Sequence, residues 1–209
     1  RPGRWSEDAI AEEHDFVAEC AAFDIPVVSP IATEEGHTLC GVIAEREDGG
    51  GEQEFLFALY PKRGGRSFDA ESEDDWLRLG SLAGRIHAAA LSGSASHRLV
   101  CTPAGSTIGF LQELRQDGVV HPEHADEFFD TAGQALEWIA PLFDGVSQSR
   151  IHGDFHRGNI LDRPGEGLLI VDFDDMMVGP AVQDLWFRLP GRLPESRREL
   201  ALSLEGYEQ

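Results

Sequence analysis

The stretch IHGDFHRGNILDRPGEGLLIVDFDD, residues 151–175, decides the fold that this chain is predicted to adopt. Within it, the run LLIV at 168–171 is short, apolar and partly β-branched, which indicates a buried strand. Asp172 ends that strand, and a segment rich in turn-forming residues, which contains Asp154 and Asn159, precedes it. The stretch therefore predicts a small hairpin that brings a carboxylate, an amide and a second acidic cluster to one site.

The bulk composition limits the classes of protein to consider. With 209 residues, 41% of them hydrophobic, the chain can form one sizeable domain or a lobe and a half. No apolar run is long enough to span a membrane, and the N-terminus lacks a signal-peptide pattern, so we expect a cytoplasmic protein. We also expect a monomer. The net charge of −21 repels nucleic acids and anionic membrane surfaces, so neither is an expected partner.

The three cysteines are Cys20, Cys40 and Cys101, an odd number without a CxxC pair. This pattern predicts buried, reduced thiols and argues against a zinc site built from cysteine.

Hydrophobic periodicity divides the chain into a mixed first part and a helical second part, an α+β arrangement. Strands are predicted over 27–31, 39–44 and 55–60, and helices over 7–25, 73–90, 108–115, 124–143, 180–189 and 195–207. We predict an N-terminal lobe at 1–61, a hinge at 62–70 and a helical lobe with the catalytic loop at 71–209. A cleft between two lobes suits a ligand, and the backbone near Tyr60 and Lys62 is predicted to bind a planar base.

The central stretch has the residue types that phosphoryl transfer requires. Asp154 can accept or orient the proton of a hydroxyl, while Asn159 and Asp172 offer the hard oxygen ligands that Mg²⁺ prefers. The five-residue step from Asp154 to Asn159 is the spacing of a kinase catalytic loop. His152 and His156 are predicted to support this loop through hydrogen bonds to its backbone.

Two other interpretations of the same residues stay open. The segment could be an ordinary turn followed by a polar strand end. Alternatively, His152, Asp154 and His156 form an HxDxH pattern that is typical of zinc or iron hydrolases. That interpretation leaves Asn159 and Asp172 without a role, so the hard oxygen site fits the whole set better.

HGDFHRGN followed by IVDFDD resembles the superfamily of aminoglycoside phosphotransferases, choline kinases and related protein kinase-like enzymes. The resemblance implies a two-lobed protein kinase-like fold, here with an incomplete N-terminal lobe and a truncated C-terminal lobe. It implies ATP and Mg²⁺ as cofactors, Asp154 as proton acceptor, and Asn159 and Asp172 as metal ligands. Asp174 would support them, and Asp184 is either a brace for the catalytic loop or a helix N-terminal charge.

The segments RPGRWSEDAIAEEHDFV, LAGRIH and QDLWFRLPG are similar to a bacterial serine/threonine kinase branch of that superfamily. The resemblance favours a protein serine or threonine as acceptor, with a small-molecule kinase or a pseudokinase binding module as alternatives. It also compares Glu12 or Glu13 with the helix glutamate that pairs with the ATP-binding lysine. In that family the lysine precedes the helix, whereas the only lysine here, Lys62, follows it. We therefore expect a fragment of a longer kinase that is inactive alone. Without a partner lysine, Glu12 and Glu13 are expected to be exposed charges.

Overall fold

The structure is a computed structural model that describes residues 4–45 and 50–209; residues 46–49 of the predicted loop lie outside this range. The first element, α1, spans Glu7–Ala22 and begins where predicted. The side-chain oxygen of Ser6 accepts a hydrogen bond from the amide of Ala9, which satisfies one of the free donors at the helix start. The helix buries one side in the main hydrophobic core.

Two strands follow, β1 at Cys40–Glu45 and β2 at Glu52–Phe57, paired as an antiparallel hairpin. The predicted strand over 55–60 therefore starts earlier and ends earlier than expected. The predicted strand over 27–31 is wrong, because within it only Val27 forms a bridge, to Ile170. Pro26 precedes this segment and Pro30 lies within it, and both lack the N–H group that a strand ladder needs.

The predicted hinge contains a short strand, β3 at Arg66–Ser67, which ties it to the catalytic hairpin. This hairpin consists of β5 at Ile160–Arg163 and β6 at Gly167–Ile170, as the sequence predicts. The three strands form one antiparallel sheet in the order β3–β5–β6.

The long helix α2 spans Glu73–Ala90, the predicted bounds. Ser72 and Asp75 form a reciprocal capping box at its start. Its apolar stripe, which includes Leu79 and Ile86, is buried against α1 and the catalytic hairpin.

The remaining elements are mostly helical, which agrees with the predicted α+β class. They are a π-helical turn at Pro103–Thr107, α3 at Ile108–Gln116, α4 at Pro122–Ile139, a 3₁₀ turn at Ala140–Phe143, β4 at Ser149–Ile151, a 3₁₀ turn at Arg157–Asn159, β7 at Met177–Gly179, α5 at Val182–Trp186 and α6 at Arg197–Tyr207. The antiparallel pair β4–β7 brackets the catalytic loop. No helix in the described part of the chain is long and apolar enough to cross a membrane.

The apolar residues of α4 are only partly covered: Phe128 and Ile139 are exposed, whereas Phe129 and Leu136 are half-buried. One expectation about burial is wrong. The cysteines are free as predicted, but only Cys20 is buried: Cys40 lies exposed on β1, and Cys101 is half-buried.

Candidate functional site

A cleft of about 760 Å³ lies between α1, the β1–β2 hairpin and the segment that follows β6. The predicted site residues Tyr60, Asp172 and Asp174 line it. Lys62 is exposed and lies outside the lining, although its neighbours Pro61 and Arg63 belong to it. The predicted base-binding segment is therefore next to the cleft, with Tyr60 as its nearer end.

The catalytic loop fixes Asp154 and Asn159 relative to each other. The Asn159 amide nitrogen donates to the backbone oxygen of Asp154 at 2.9 Å and to its carboxylate Oδ2 at 3.1 Å. The 3₁₀ turn that contains Asn159 produces this approach, and Asn159 is buried there. Among the described residues, neither Asp154 Oδ1 nor Asn159 Oδ1 has a hydrogen-bond partner. Both oxygens are thus free for a ligand.

Asp172 follows β6 in the left-handed conformation, with φ +66°. Few residues other than glycine adopt this conformation, and such strained positions are common at functional sites. The side chain of the next residue, Phe173, is buried in the core and contacts Phe16 and His152 edge-on or tilted. This anchor leaves Asp172 exposed at the edge of the cleft.

His152 is a structural residue of the loop. Its Nε2 lies 3.1 Å from the backbone oxygen of Val171, and its Nδ1 accepts from the Asp154 amide at 3.3 Å. Complete burial lowers the pKa of the imidazole, so the ring is neutral at physiological pH. Both ring nitrogens are engaged, so His152 has no lone pair available to a metal ion.

His156 also supports the loop backbone, since its Nδ1 accepts from the amide of Gly158 at 2.9 Å. Its Nε2 lies 3.4 Å from Asp154 Oδ2. Across residues 4–45 and 50–209, no three His, Cys, Asp or Glu side chains are grouped as a metal site. The HxDxH interpretation is contradicted at His152, whose two ring nitrogens are both engaged.

Asp184, on α5, is completely buried and binds the backbone of the catalytic loop. Its Oδ2 accepts from the His152 amide at 2.8 Å, and its Oδ1 accepts from the Gly153 amide at 2.9 Å. Of the two roles that the sequence left open, the contacts match a brace for the loop.

Asp174 and Asp175 form ion pairs with Arg4. Arg98 is buried and donates to the backbone oxygens of Asp174 and Met176, the latter at 2.6 Å. These contacts fix the turn after Asp172 from two sides.

The prediction that Glu12 and Glu13 are both exposed charges is wrong. Glu12 accepts hydrogen bonds from the amides of Ser96 and His97 and anchors that loop. Glu13, only 7% exposed, lines the cleft. Burial raises the pKa of its carboxyl to about 7, against the opposing effect of Arg98, whose Nη1 lies 3.9 Å away.

Sequence reasoning missed His87 and Tyr207. His87 forms a hydrogen bond with the Asp184 carboxylate, and Tyr207 forms one with His87. The sequence contained a signal for His87, because this polar residue directly follows the apolar stripe of α2. The structure shows that it is 5% exposed. A buried polar side chain requires a partner. Tyr207 gave no comparable signal, since a single tyrosine near a helix end is common.

Comparison with known sequences supports the kinase resemblance. The family model described as a phosphotransferase enzyme family matches residues 1–209. Stress response kinase A of Escherichia coli strain K12 is 35% identical over 217 residues, an alignment that covers the whole chain and 60% of that relative. A serine/threonine protein kinase of Salmonella typhimurium is 34% identical over 214 residues, with the same coverage. The chain thus spans 60% of the length of these curated relatives.

Solved structures show the same fold. Amicoumacin kinase hAmiN, in complex with AMP-PNP, Ca²⁺ and Ami, aligns with a TM-score of 0.72 at 18% identity, over 99% of this chain and 63% of the other. A microcompartment-associated aminopropanol kinase aligns with a TM-score of 0.63 at 20% identity, over 100% and 68%. The predicted kinase-like fold is confirmed.

Proposed function

Because this chain belongs to the phosphotransferase enzyme family, we propose that it carries the catalytic centre of a kinase that transfers the γ-phosphoryl group of ATP to a hydroxyl. One observation supports this proposal above the others. Asn159 holds Asp154 by two hydrogen bonds, and the free oxygens of both residues belong to a loop beside the cleft residue Asp172.

In this proposal, Asp154 is the catalytic base. Its Oδ2 is held by Asn159, while Oδ1 accepts the hydrogen bond of the acceptor hydroxyl. Oδ1 takes the hydroxyl proton as the new O–P bond forms and the bond from the γ-phosphorus to the bridging oxygen breaks, with ADP as the leaving group. The loop holds Asp154 in position before the acceptor arrives. Asp184 binds the loop backbone, and the Asp154 amide donates to the His152 ring. Positioning of this kind is a large part of phosphoryl-transfer catalysis.

Asn159 and Asp172 are the proposed metal ligands. The donor set fits Mg²⁺, because it combines a carboxylate with an amide oxygen and contains no sulfur or free imidazole nitrogen. The orientation of Asn159 supports the assignment, since its nitrogen is occupied by Asp154 and its oxygen is left free. When bound, Mg²⁺ would neutralise charge on the phosphate groups. Asp174 and its ion pair with Arg4 would support the position of Asp172.

The cleft is the proposed nucleotide site. The backbone near Tyr60 and Lys62 would bind the adenine base, Tyr60 from within the lining and Lys62 from just outside it. Glu13 would hold a cationic group that contacts the phosphates. Arg98, 3.9 Å from its carboxylate, only partly offsets the effect of burial, so a further cation would stabilise the charged form of Glu13.

A protein serine or threonine is the proposed acceptor. The support is the serine/threonine kinase name of a relative that is 34% identical over the whole chain. A small-molecule hydroxyl is the second candidate, and it is favoured by the fold shared with amicoumacin kinase and aminopropanol kinase. The net charge of −21 would attract a cationic small molecule, but attraction of this kind does not provide specificity. We further propose a monomer that acts in the cytoplasm, where the three free thiols would stay reduced.

Transfer of labelled phosphate from ATP by the full-length protein tests the proposal. The acceptors should be a serine/threonine substrate protein, an aminoglycoside and choline. We expect Asp154→Asn to lower the transfer rate by about 10²–10⁴-fold, because it removes the base and keeps the side-chain shape. Asp162→Asn, on β5 outside the cleft, is the matched control and should retain full activity.

Equal rates in the two variants would overturn the catalytic assignment. Nucleotide binding without transfer to any acceptor would favour the alternative of a regulatory binding module. Transfer to the small molecules alone would replace the protein acceptor by the second candidate.

A further inference from the structure

A buried line of hydrogen bonds connects α6 with the catalytic loop. The phenol oxygen of Tyr207 lies 3.0 Å from His87 Nδ1, and His87 Nε2 lies 3.0 Å from Asp184 Oδ2. The same Asp184 oxygen accepts from the His152 amide at 2.8 Å. His87 and Asp184 are 5% and 0% exposed, so bulk water does not compete for the contact between them, and Tyr207 is half-buried.

The chemistry of the three side chains sets the direction of the hydrogen bonds when the His87 ring is neutral. An ionised carboxylate only accepts, so the bond to Asp184 requires a proton on His87 Nε2. In the neutral imidazole Nδ1 is then an acceptor, and the Tyr207 hydroxyl donates to it. Burial and the nearby Asp184 raise the pKa of Tyr207, which keeps this hydroxyl protonated. A Tyr207 hydroxyl that donates to Nδ1 favours the His87 tautomer whose Nε2 proton binds the carboxylate.

Three glycines let α6 approach α2 closely enough for this contact. A Cβ at Gly80 would lie 1.9 Å from the backbone oxygen of Ser203, and one at Gly84 would lie 2.6 Å from that of Tyr207. In the other direction, a Cβ at Gly206 would lie 2.0 Å from the backbone oxygen of Leu77. The close packing brings the Tyr207 hydroxyl within hydrogen-bond distance of His87.

We propose that His87 and Tyr207 are positioning residues for phosphoryl transfer, which hold the carboxylate of Asp184 in the orientation that fixes the catalytic loop. Asp184 binds the amides of His152 and Gly153, the two residues directly before Asp154. A rotation of its carboxylate would release one amide or both, and the proposed base would move with them. The proposal rests on the proposed function, since it gives the two residues a part in that reaction.

Hydrogen exchange of the His152 and Gly153 amides in the full-length protein tests the contact without any measurement of activity. Loss of one hydrogen bond to a buried carboxylate corresponds to about a ten- to hundredfold loss of protection, which we expect for His87→Leu. Tyr207→Phe keeps the ring packing and should lose about three- to tenfold. His87→Gln places an amide donor near the position of Nε2 and should restore most of the protection.

Ile86→Val is the matched control, because it weakens the same buried part of α2 without touching the hydrogen bonds. At equal loss of global stability it should leave the two amides protected. Unchanged protection in His87→Leu, or an equal loss in Ile86→Val, would overturn the proposal. So would a His87→Gln variant no better protected than His87→Leu.

Steady-state kinetics give the second measurement. We expect kcat to fall about tenfold or more in His87→Leu, to recover in His87→Gln, and KM for ATP to stay unchanged in both, because the cleft is not altered. A rise in KM for ATP with constant kcat would overturn the positioning role. If the wild-type protein transfers no phosphate at all, the proposed function fails, and the exchange experiment still decides whether His87 and Tyr207 hold the loop.

Discussion

At the residue scale, Gly153 is the position where the backbone of the catalytic loop tolerates no side chain. Its φ is +84°, and a Cβ there would lie 2.1 Å from the backbone oxygen of Asp175. Gly165, in the turn between β5 and β6, has nearly the same φ, +83°, but a Cβ there would meet no atom within 4 Å. A side chain at Gly165 would therefore meet only conformational strain, whereas one at Gly153 would meet the same strain and a steric clash.

We expect Gly165→Ala to lower the free energy of unfolding by about 1–2 kcal/mol, the cost of a positive φ for a residue with a Cβ. Gly153→Ala should cost about 3 kcal/mol or more, because the backbone of the loop or of Asp175 must also shift. Urea denaturation of both variants measures the difference. Equal losses would mean that the loop and the turn after Asp172 are not in firm contact.

The sequence indicated which residue types form the site but not how each one is used. Asp154, Asn159 and Asp172 stand out because their spacing follows a local pattern. The role of Asp184 depends on two amides more than 30 positions earlier in the chain, so no local pattern contains it. The choice between the neighbours Glu12 and Glu13 depends on the rotation of α1 about its axis, which packing in the core determines.

At the element scale, the contact between α2 and α6 depends on backbone atoms that approach each other directly. Gly206 on α6 faces the backbone of Leu77 on α2, where a Cβ would lie 2.0 Å from the carbonyl oxygen. Gly133 on α4 is also inside a helix, but a Cβ there would have no neighbour within 4 Å. Alanine is about 1 kcal/mol more favourable than glycine inside a helix when no contact opposes it.

These two glycines should therefore respond to substitution with opposite signs. We expect Gly133→Ala to raise the free energy of unfolding by about 0.5–1 kcal/mol. Gly206→Ala should lower it by about 1–3 kcal/mol or more, because α6 must move away from α2. Thermal and urea denaturation give both values, and a stabilising effect of Gly206→Ala would show that α6 is not packed tightly on α2.

The elements that the sequence predicts best are those whose signals are local and complete. The helix α2 combines the cap at Ser72 with an apolar stripe, and its bounds agree with the prediction. The strand predicted at 27–31 does not form. Its β-branched residues favour a strand, but the two nearby prolines cannot donate hydrogen bonds to a ladder. The exposure of Phe128 and Ile139 on α4 could not be recognised from the sequence, since amphipathic periodicity does not tell whether a partner covers the apolar side.

At the scale of the whole molecule, buried ionisable groups determine how stability varies with pH. Desolvation lowers the pKa of His14 and His152, so their contribution to stability is lost as the pH falls below their unfolded value of 6.5. Glu13 has the opposite effect: its pKa rises from 4.5 to about 7, so the folded state binds an extra proton between these values. Stability from this group is present below pH 4.5 and is lost as the pH rises towards 7.

Glu13→Gln isolates this contribution. From the size of the shift, the variant should gain about 3 kcal/mol relative to the wild-type chain between pH 4.5 and pH 7.5, because glutamine cannot ionise. Urea denaturation of the 209-residue chain at several pH values measures the gain. Ile10→Val, at a cleft-lining position of the same helix that cannot ionise, is the control, and its effect on the free energy of unfolding should not vary with pH.

The same experiment distinguishes a cleft without a cation beside Glu13 from a cleft that contains one. Burial contributes most to the raised pKa, the cluster of Asp172, Asp174 and Asp175 adds to it, and Arg98 only partly compensates. A cation placed beside Glu13, as the proposed function requires of the nucleotide-bound enzyme, would favour the carboxylate and return its pKa towards 4.5. The pH-dependent gain of Glu13→Gln should then shrink or reverse in the full-length protein. A gain of the same size in both proteins would contradict the proposed cation-binding role of Glu13.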